Sequence, residues 1–362
     1  MAETPDRAAS NRSARLLLVA LLAMGLVARV ALGYMMGERQ AARLPESADY
    51  LAAGRAIAGG RGLVHSAPES GPAAPQMPGY PVLVAAAARF FSLPVKALLL
   101  FQAGCGAATL GVALWAAWRL AGVWAALLTV VLLAFDPYQV YFVALVTPVV
   151  PMGLALALAM AFGLEFLAAH AGGWRAWPWA ALAGTALAAA TYLDPWAARL
   201  VPLIGLAALV SKDRKRFLAG WAVAAAVMAI LLAPWVLPHG LGAGSSAPVA
   251  ELFSREARLW SPAPMLDEVG VPPLAGYTSL LPTAALALVG LWALRRRRAA
   301  LVWLLAAPVA LTLVRAVLPG AAHDRLAVMP ALAVLGGAGL AAVLGRAGDG
   351  VAPASRAGEP KP

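Results

Sequence analysis

Long apolar runs alternate with short polar segments along most of this chain. The first run covers Leu16 to Met36, and similar runs recur as far as Leu344. Because about 20 helical residues cross the hydrocarbon core of a bilayer, the pattern predicts an all-α, polytopic membrane protein with about ten transmembrane helices. The predicted spans are 16–36, 97–118, 121–135, 149–167, 177–193, 196–210, 217–237, 277–294, 299–318 and 326–344.

Clusters of basic residues between the apolar runs predict how the chain is oriented. Arg7, Arg12 and Arg15 precede the first span, and further clusters lie at 212–216 and 295–298. Cytoplasmic loops carry the excess of Lys and Arg, so these clusters are assigned to the cytoplasm, as are both termini. Counting 82–93 as a span would place the last two clusters outside. That short run is therefore predicted to be an interfacial helix on the outer face.

The same topology divides the chain into segments. Residues 1–15 are predicted as a cytoplasmic N-terminus, 16–345 as one transmembrane domain, and 346–362 as a disordered cytoplasmic tail. Two long polar segments face outward on this scheme. They are a first outer loop at 37–95, which contains interfacial helices, and a second outer loop at 238–273.

Composition supports a membrane protein and argues against nucleic acid as a partner. Hydrophobic residues make up 62% of the chain and charged residues 12%, whereas about a quarter of the residues of a soluble domain are charged. The net charge of +11 is gathered in short clusters between spans, which is the pattern of membrane orientation. The abundance of Ala, Gly and Arg fits a GC-rich bacterium, so the expected location is a bacterial inner membrane.

The stretch from Leu44 to Pro81 holds the first candidates for chemistry. Glu46 and Asp49 lie three residues apart, a spacing that places both carboxylates on one face if the segment is helical. A carboxylate at a membrane rim can act as a general base toward a hydroxyl, although either acid can equally be a solvated loop charge. The run Pro78 to Pro81 is either an ordinary turn or a substrate-facing loop.

Other polar residues suggest less. Arg29 lies inside the first span and must face protein or extend to the interface. Glu165 has no evident partner and is predicted to extend toward the cytoplasmic edge. The lone Cys105 is expected in the core. Because the four histidines are scattered, no metal site is expected.

Several short motifs resemble the GT-C superfamily of membrane glycosyltransferases, in particular bacterial relatives of the dolichyl-phosphate-mannose protein mannosyltransferases. They begin with an arginine in the first span and an acid shortly before a tyrosine in the first outer loop. The motifs are Ala28-Arg29-Val30, Glu46-Ser-Ala-Asp49-Tyr50, Met77-Pro78-Gly79-Tyr80-Pro81, Phe135-Asp136-Pro137, Ala233-Pro234-Trp235 and Arg325-Leu326 to Pro330. The chain departs from the family at Thr147-Pro148, where relatives often carry an acid, and at Asp194-Pro195, where many have Arg-Pro.

The resemblance implies a GT-C-like fold and an inverting glycosyltransferase that uses a polyprenyl-phosphate sugar. Its acceptor is the hydroxyl of a glycan, a lipid or a protein. The residues implied are Glu46 as the catalytic base and Asp49 as the carboxylate that assists or orients it; Arg325, Arg55 and Arg61 at the donor phosphate; and Tyr50, Pro78, Gly79 and Tyr80 in a substrate loop. No cofactor is expected; a divalent metal is possible in the superfamily, but no clear ligand cluster on the outer face supports one. A non-catalytic relative that binds lipid-linked sugar or assists envelope glycan assembly is the main alternative. A transporter comes last because polar residues at mid-membrane are scarce.

Overall fold

The structure, a computed structural model, describes residues 5–37, 41–42, 45–63, 77–169, 176–205, 214–239, 273–294 and 329–344. The ordered secondary structure in these ranges is helical, and they contain no β-strand. The α-helices are α1 Pro5–Met35, α2 Pro45–Ala58, α3 Gly79–Phe90, α4 Pro94–Ala121, α5 Val123–Ala134, α6 Pro137–Phe142, α7 Val149–Ala168, α8 Trp177–Leu193, α9 Leu200–Gly205, α10 Arg214–His239, α11 Pro273–Ala293 and α12 Met329–Val343.

Four of these helices are long and apolar enough to cross a bilayer. They are Leu16–Met35 within α1, Pro94–Ala121, Val149–Ala168 and Arg214–Leu237 within α10. The surface of α1 is strongly apolar, with Leu16 66% and Val27 65% exposed. Such a surface suits contact with lipid tails rather than water. The protein is therefore a membrane protein, as the apolar pattern predicts.

Most predicted spans coincide with helices, and two differ in an informative way. The predicted span 121–135 is the 12-residue α5, which follows α4 after Gly122 at a φ of +89°. That conformation favours glycine and makes a sharp break possible between two apolar helices. The described part of the predicted span 196–210 is a 3-10 turn at Pro195–Arg199 followed by the short α9. The predicted span 299–318 lies outside the described residues.

Small residues let the helices approach closely. Where α11 meets α12, a Cβ on Gly290 would overlap the carbonyl oxygen of Leu335. A Cβ on Gly339 would likewise overlap the carbonyl oxygen of Leu286. Close backbone approach of this kind is how helices associate in a bilayer, where apolar burial alone provides little driving force.

Charged residues join three helices at one end of the bundle, which we call the basic end. Nε of Arg119, near the end of α4, lies 2.9 Å from Oε1 of Glu165, near the end of α7. Arg216, at the start of α10, donates a hydrogen bond to the carbonyl oxygen of Ala169. The prediction that Glu165 has no partner is therefore wrong. Its partner is 46 positions away on a neighbouring helix, so no local spacing reveals it.

Candidate active site

The two helices of the first outer loop pack on each other and against the connection between α5 and α7. Proline begins α2 at Pro45, where its fixed φ and missing N–H suit a helix start. Pro78 similarly precedes α3, which ends at Phe90. The connection comprises residues 135–148 and includes α6. We call the hydrogen-bonded contact between the first outer loop, α4 and this connection the outer junction, since the predicted topology places it outside.

The first contact in the outer junction is made by Val146, a residue of the connection whose backbone N–H and carbonyl groups are both hydrogen-bonded. The backbone N–H of Val146 donates to the carbonyl oxygen of Ala41 at 2.8 Å. The carbonyl oxygen of Val146 accepts from Oγ of Ser47 at 2.7 Å. Ser47 is fully buried and immediately follows Glu46. The start of α2 is thereby held to the connection.

The second contact is made by the side-chain amide of Gln102 on α4. Its Oε1 accepts from the hydroxyl of Tyr80 at 2.5 Å. Its Nε2 donates to the carbonyl oxygens of Val143 at 3.2 Å and Leu145 at 2.7 Å. Because two carbonyl oxygens face one side of the amide, only the nitrogen can lie on that side. Gln102 was not predicted as a site residue, although a single amide within an otherwise apolar span was the available signal.

Tyr80 is held as a neutral phenol in this junction. Its side chain is fully buried, and its ring meets the Tyr50 ring edge-on with centroids 4.9 Å apart. Burial raises the pKa of Tyr80 well above its usual value, the nearby Tyr50 adds to the increase, and a backbone hydrogen bond from Thr147 opposes it. A neutral hydroxyl can both donate to Gln102 and accept from backbone, so it ties α3 to two elements at once.

Close packing explains the glycine of the Pro78 to Pro81 motif. A Cβ on Gly79 would lie 2.5 Å from the carbonyl oxygen of Tyr192 at the end of α8. No side chain fits there unless a helix moves. The motif therefore begins a helix and packs it against α8, whereas the predicted contact with substrate remains a prediction.

Arg29 lies wholly within protein. Only 1% of the residue is exposed, and its Nη1 and Nη2 donate to the carbonyl oxygens of Gly25 at 3.0 Å and Leu133 at 3.1 Å. It also interacts electrostatically with Asp136. Asp136 is 2% exposed and accepts the backbone N–H of Gln139 at 2.9 Å. Of the two alternatives for Arg29, the one that faces protein is confirmed.

The predicted site residues fall into three groups. Glu46 and Asp49 both lie in α2, which confirms the helical spacing; Asp49 is exposed, and the side chain of Glu46 lies outside the described part. Arg55 and Arg61 are exposed near the end of this segment. Arg325 lies outside the described residues. The structure thus brings Tyr50 and Tyr80 together, and the convergence of the acids with Arg325 stays a prediction.

Two cavities lie within the described part of the bundle. One is bordered by the connection, by Gly106 of α4 and by Pro330 of α12. Its other lining residues are Thr109, Gln139, Phe142, Val149, Val150 and Gly153. The other lies among α7, α8, α9 and α10 and has an apolar lining. The first adjoins the outer junction and is the one with polar side chains. Among the described residues, no three metal-ligating side chains form a group.

Solved structures share this architecture. ArnT from Cupriavidus metallidurans, bound to undecaprenyl phosphate, superposes with a TM-score of 0.63 over 90% of this chain at 19% identity. The chain has the GT-C fold. The oligosaccharyltransferase AglB from Archaeoglobus fulgidus, with an inhibitory peptide and dolichol-phosphate, gives a TM-score of 0.59 over 89% of the chain at 14% identity. The sequence resemblance to GT-C glycosyltransferases is thereby confirmed at the level of fold.

This chain spans only part of the length of these structures. It covers 59% of ArnT and 50% of AglB. An oligosaccharyltransferase from Archaeoglobus fulgidus in complex with zinc and sulfate gives a TM-score of 0.62 at 13% identity, over 91% of this chain and 49% of that one. Neither a protein-family model nor a curated protein sequence matches the chain.

Proposed function

We propose that this protein is an inverting glycosyltransferase that moves a sugar from a polyprenyl-phosphate donor to an acceptor hydroxyl at the outer face of a bacterial inner membrane. One observation carries the proposal. Within a GT-C fold, the helix that bears Glu46 and Asp49 is fixed to the connection 135–148 through Ser47 and Val146. The two acids therefore belong to a held element rather than to a loose loop.

The proposed reaction is a single displacement. The acceptor hydroxyl oxygen attacks the anomeric carbon, and the bond from that carbon to the phosphate oxygen breaks. The hydroxyl proton passes to the carboxylate of Glu46, while Asp49 orients the acceptor. Polyprenyl phosphate leaves with the bonding electron pair, and Arg325, Arg55 and Arg61 stabilise its charge. Attack opposite the leaving group inverts the anomeric centre.

The polar cavity beside the outer junction supports this assignment. It is bordered by residues of the connection and by Pro330 at the start of α12, five positions after the predicted phosphate ligand Arg325. The donor phosphate would bind at this edge, and its prenyl chain would lie between helices. No cofactor is proposed, because the positioning and charge stabilisation described above suffice for a phosphate leaving group.

The assignment is tested by offering labelled polyprenyl-phosphate sugars to membranes that contain the wild type or Glu46→Gln. We expect label transfer by the wild type and a loss of about 100-fold or more in the variant, the range of general base catalysis. Full activity in Glu46→Gln would exclude Glu46 as the base. The wild type is expected to keep its activity in EDTA, and a loss restored by a divalent cation would contradict the absence of a metal.

A non-catalytic protein that binds lipid-linked sugar is the second candidate. Its support is the end of the connection, where relatives often carry an acid and this chain has the buried Thr147 and Pro148. The hydroxyl oxygen of Thr147 accepts the backbone N–H of Val149 at 3.4 Å, so it caps the turn that begins α7. Binding of the labelled donor without transfer to any acceptor would favour this candidate.

A further inference from the structure

We propose that Gln102 is a positioning residue for the glycosyl transfer, since it sets the placement of the helix that carries the predicted base. The inference rests on the proposed function for its kinetic consequence and on the outer junction for its geometry. Gln102 lies on α4, 22 positions after Tyr80 and 41 positions before Val143, the nearer of its two partners in the connection. It is fully buried and makes no described contact with the predicted acids.

Gln102 holds the backbone of the connection. Its amide nitrogen reaches the carbonyl oxygens of Val143 and Leu145, two residues within the connection that has left α6 and has not yet begun α7. Carbonyl groups outside a helix need partners when buried, because burial removes their hydrogen bonds to water. Gln102 supplies both partners and so favours one backbone path through 143–145.

That backbone path is linked to α2. Val146 follows directly; its N–H donates to the carbonyl oxygen of Ala41, and its carbonyl oxygen accepts from Ser47. A displacement of Leu145 therefore moves the group to which Ser47 is bound. Ser47 is adjacent to Glu46, so the displacement reaches the predicted base after one peptide unit.

A parallel link runs through Tyr80. Its hydroxyl donates to Oε1 of Gln102, and its ring meets Tyr50, one position after Asp49. The Gln102 amide thus contacts both elements that hold α2 in place, the connection on one side and α3 on the other. Reaction rates respond steeply to the position of catalytic groups, since a displacement of about 1 Å can lower the rate about 100-fold.

The chain offers variants that separate these contacts. Gln102→Glu retains the size of the side chain and an acceptor for Tyr80 but removes both N–H donors. Tyr80→Phe removes only the hydroxyl. Thr129→Val is a matched control, because Thr129 is fully buried and its hydroxyl donates to Ala125 of α5 at 2.7 Å, away from the outer junction.

The experiment measures transfer kinetics, hydrogen exchange of residues 41–58 and thermal stability for purified wild type and variants. We expect kcat to fall about 100-fold in Gln102→Glu, with donor KM within about threefold of the wild-type value, because Gln102 is not among the residues that border the cavity assigned to the donor phosphate. Exchange in 41–58 should rise in Gln102→Glu and not in Thr129→Val, while thermal stability falls in both. In the double variant Gln102→Glu with Tyr80→Phe, the fold-loss of kcat should be smaller than the product of the fold-losses in the two single variants.

Each outcome bears on a distinct claim. Unchanged kcat in Gln102→Glu beside an active wild type overturns the positioning role, as does an equal loss of kcat in Thr129→Val. If the wild type transfers no sugar, the proposed function fails, and hydrogen exchange alone then tests whether Gln102 sets the placement of α2. Unchanged exchange of 41–58 in Gln102→Glu then overturns this inference as well.

Discussion

The two ends of the helical bundle are held together by different chemistry. At the basic end, the partly exposed ion pair between Arg119 and Glu165 and the guanidinium of Arg216 join α4, α7 and α10. At the outer junction, the contacts are neutral and fully buried, and they run from Ser47, Tyr80 and Gln102 to backbone or to each other. Charge joins one end, and neutral hydrogen bonds join the other.

The difference indicates which end is built for precise geometry. Exposed ion pairs contribute little because solvent screens them and long side chains lose entropy. Buried neutral bonds are stronger in the low-dielectric interior, and each unmade one is costly. The hydrogen bonds of Ser47, Tyr80 and Gln102 themselves add no fixed charge near the predicted acids. The outer junction is therefore the end suited to holding a precise geometry.

The largest expected effect comes from the buried charge next to the outer junction. Arg29→Met should lower the free energy of unfolding by about 3–5 kcal/mol, because it removes the hydrogen bonds to Gly25 and Leu133 and a buried cation that interacts with the buried Asp136. Arg29→Lys retains the charge but cannot bond both Gly25 and Leu133 in the same fork geometry. Its free energy of unfolding should therefore fall by less than that of Arg29→Met. Thermal or denaturant unfolding of the solubilised protein measures both changes, and an Arg29→Met protein as stable as the wild type would contradict the account.

A second effect tests the packing of α3 on α8. Gly79→Ala should cost about 1–3 kcal/mol, the usual range for overpacking, because its Cβ would collide with the backbone of Tyr192. Gly104→Ala on α4 is the matched control, since no atom lies within 4 Å of the position of its added Cβ. Equal stability of the two variants in the same unfolding assay would show that Gly79 is not a close contact.

Some of these features could be predicted from the sequence, and others could not. Apolar periodicity predicted the helices α1, α4, α7 and α10 because each contains an uninterrupted run of spanning length. The importance of Gly79 and the partners of Arg29 and Glu165 could not be predicted, because each depends on a neighbour distant in the chain. The spacing of Glu46 and Asp49 was predictable since it follows from one helix, whereas the roles of Ser47 and Gln102 required the fold.

A smaller effect is expected at the basic end. Arg119→Gln should cost less than Arg29→Met, because the side chains of the pair keep 25% and 19% of their surface exposed, so that water partly solvates the charge left behind. Raising the ionic strength should reduce the difference between variant and wild type further. Unfolding measured at low and high salt checks this, and a salt-independent loss as large as that of Arg29→Met would remove the distinction between the two ends.

The smallest effect is the pH dependence of the outer junction. Tyr80 ionises in the folded protein at a pKa well above the ordinary value of 10.0, so its hydroxyl contributes full stability below that pH. The contribution is lost as the pH rises from about 10 through the raised pKa of the folded state. The difference in unfolding free energy between wild type and Tyr80→Phe should therefore be constant from about pH 6 to 9 and shrink only above about pH 10. A decrease already near neutral pH would contradict a neutral, buried phenol.

The most direct test of the transferase assignment is the stoichiometry of carrier release by the purified protein. A defined polyprenyl-phosphate sugar and an accepted hydroxyl compound are incubated with the wild type, and free carrier phosphate and glycosylated product are counted together. The account predicts one polyprenyl phosphate released for each sugar transferred, with inversion at the anomeric carbon. Recovery of the bound donor intact, across donors and acceptors, would contradict a transferase and leave a lipid-sugar binding protein.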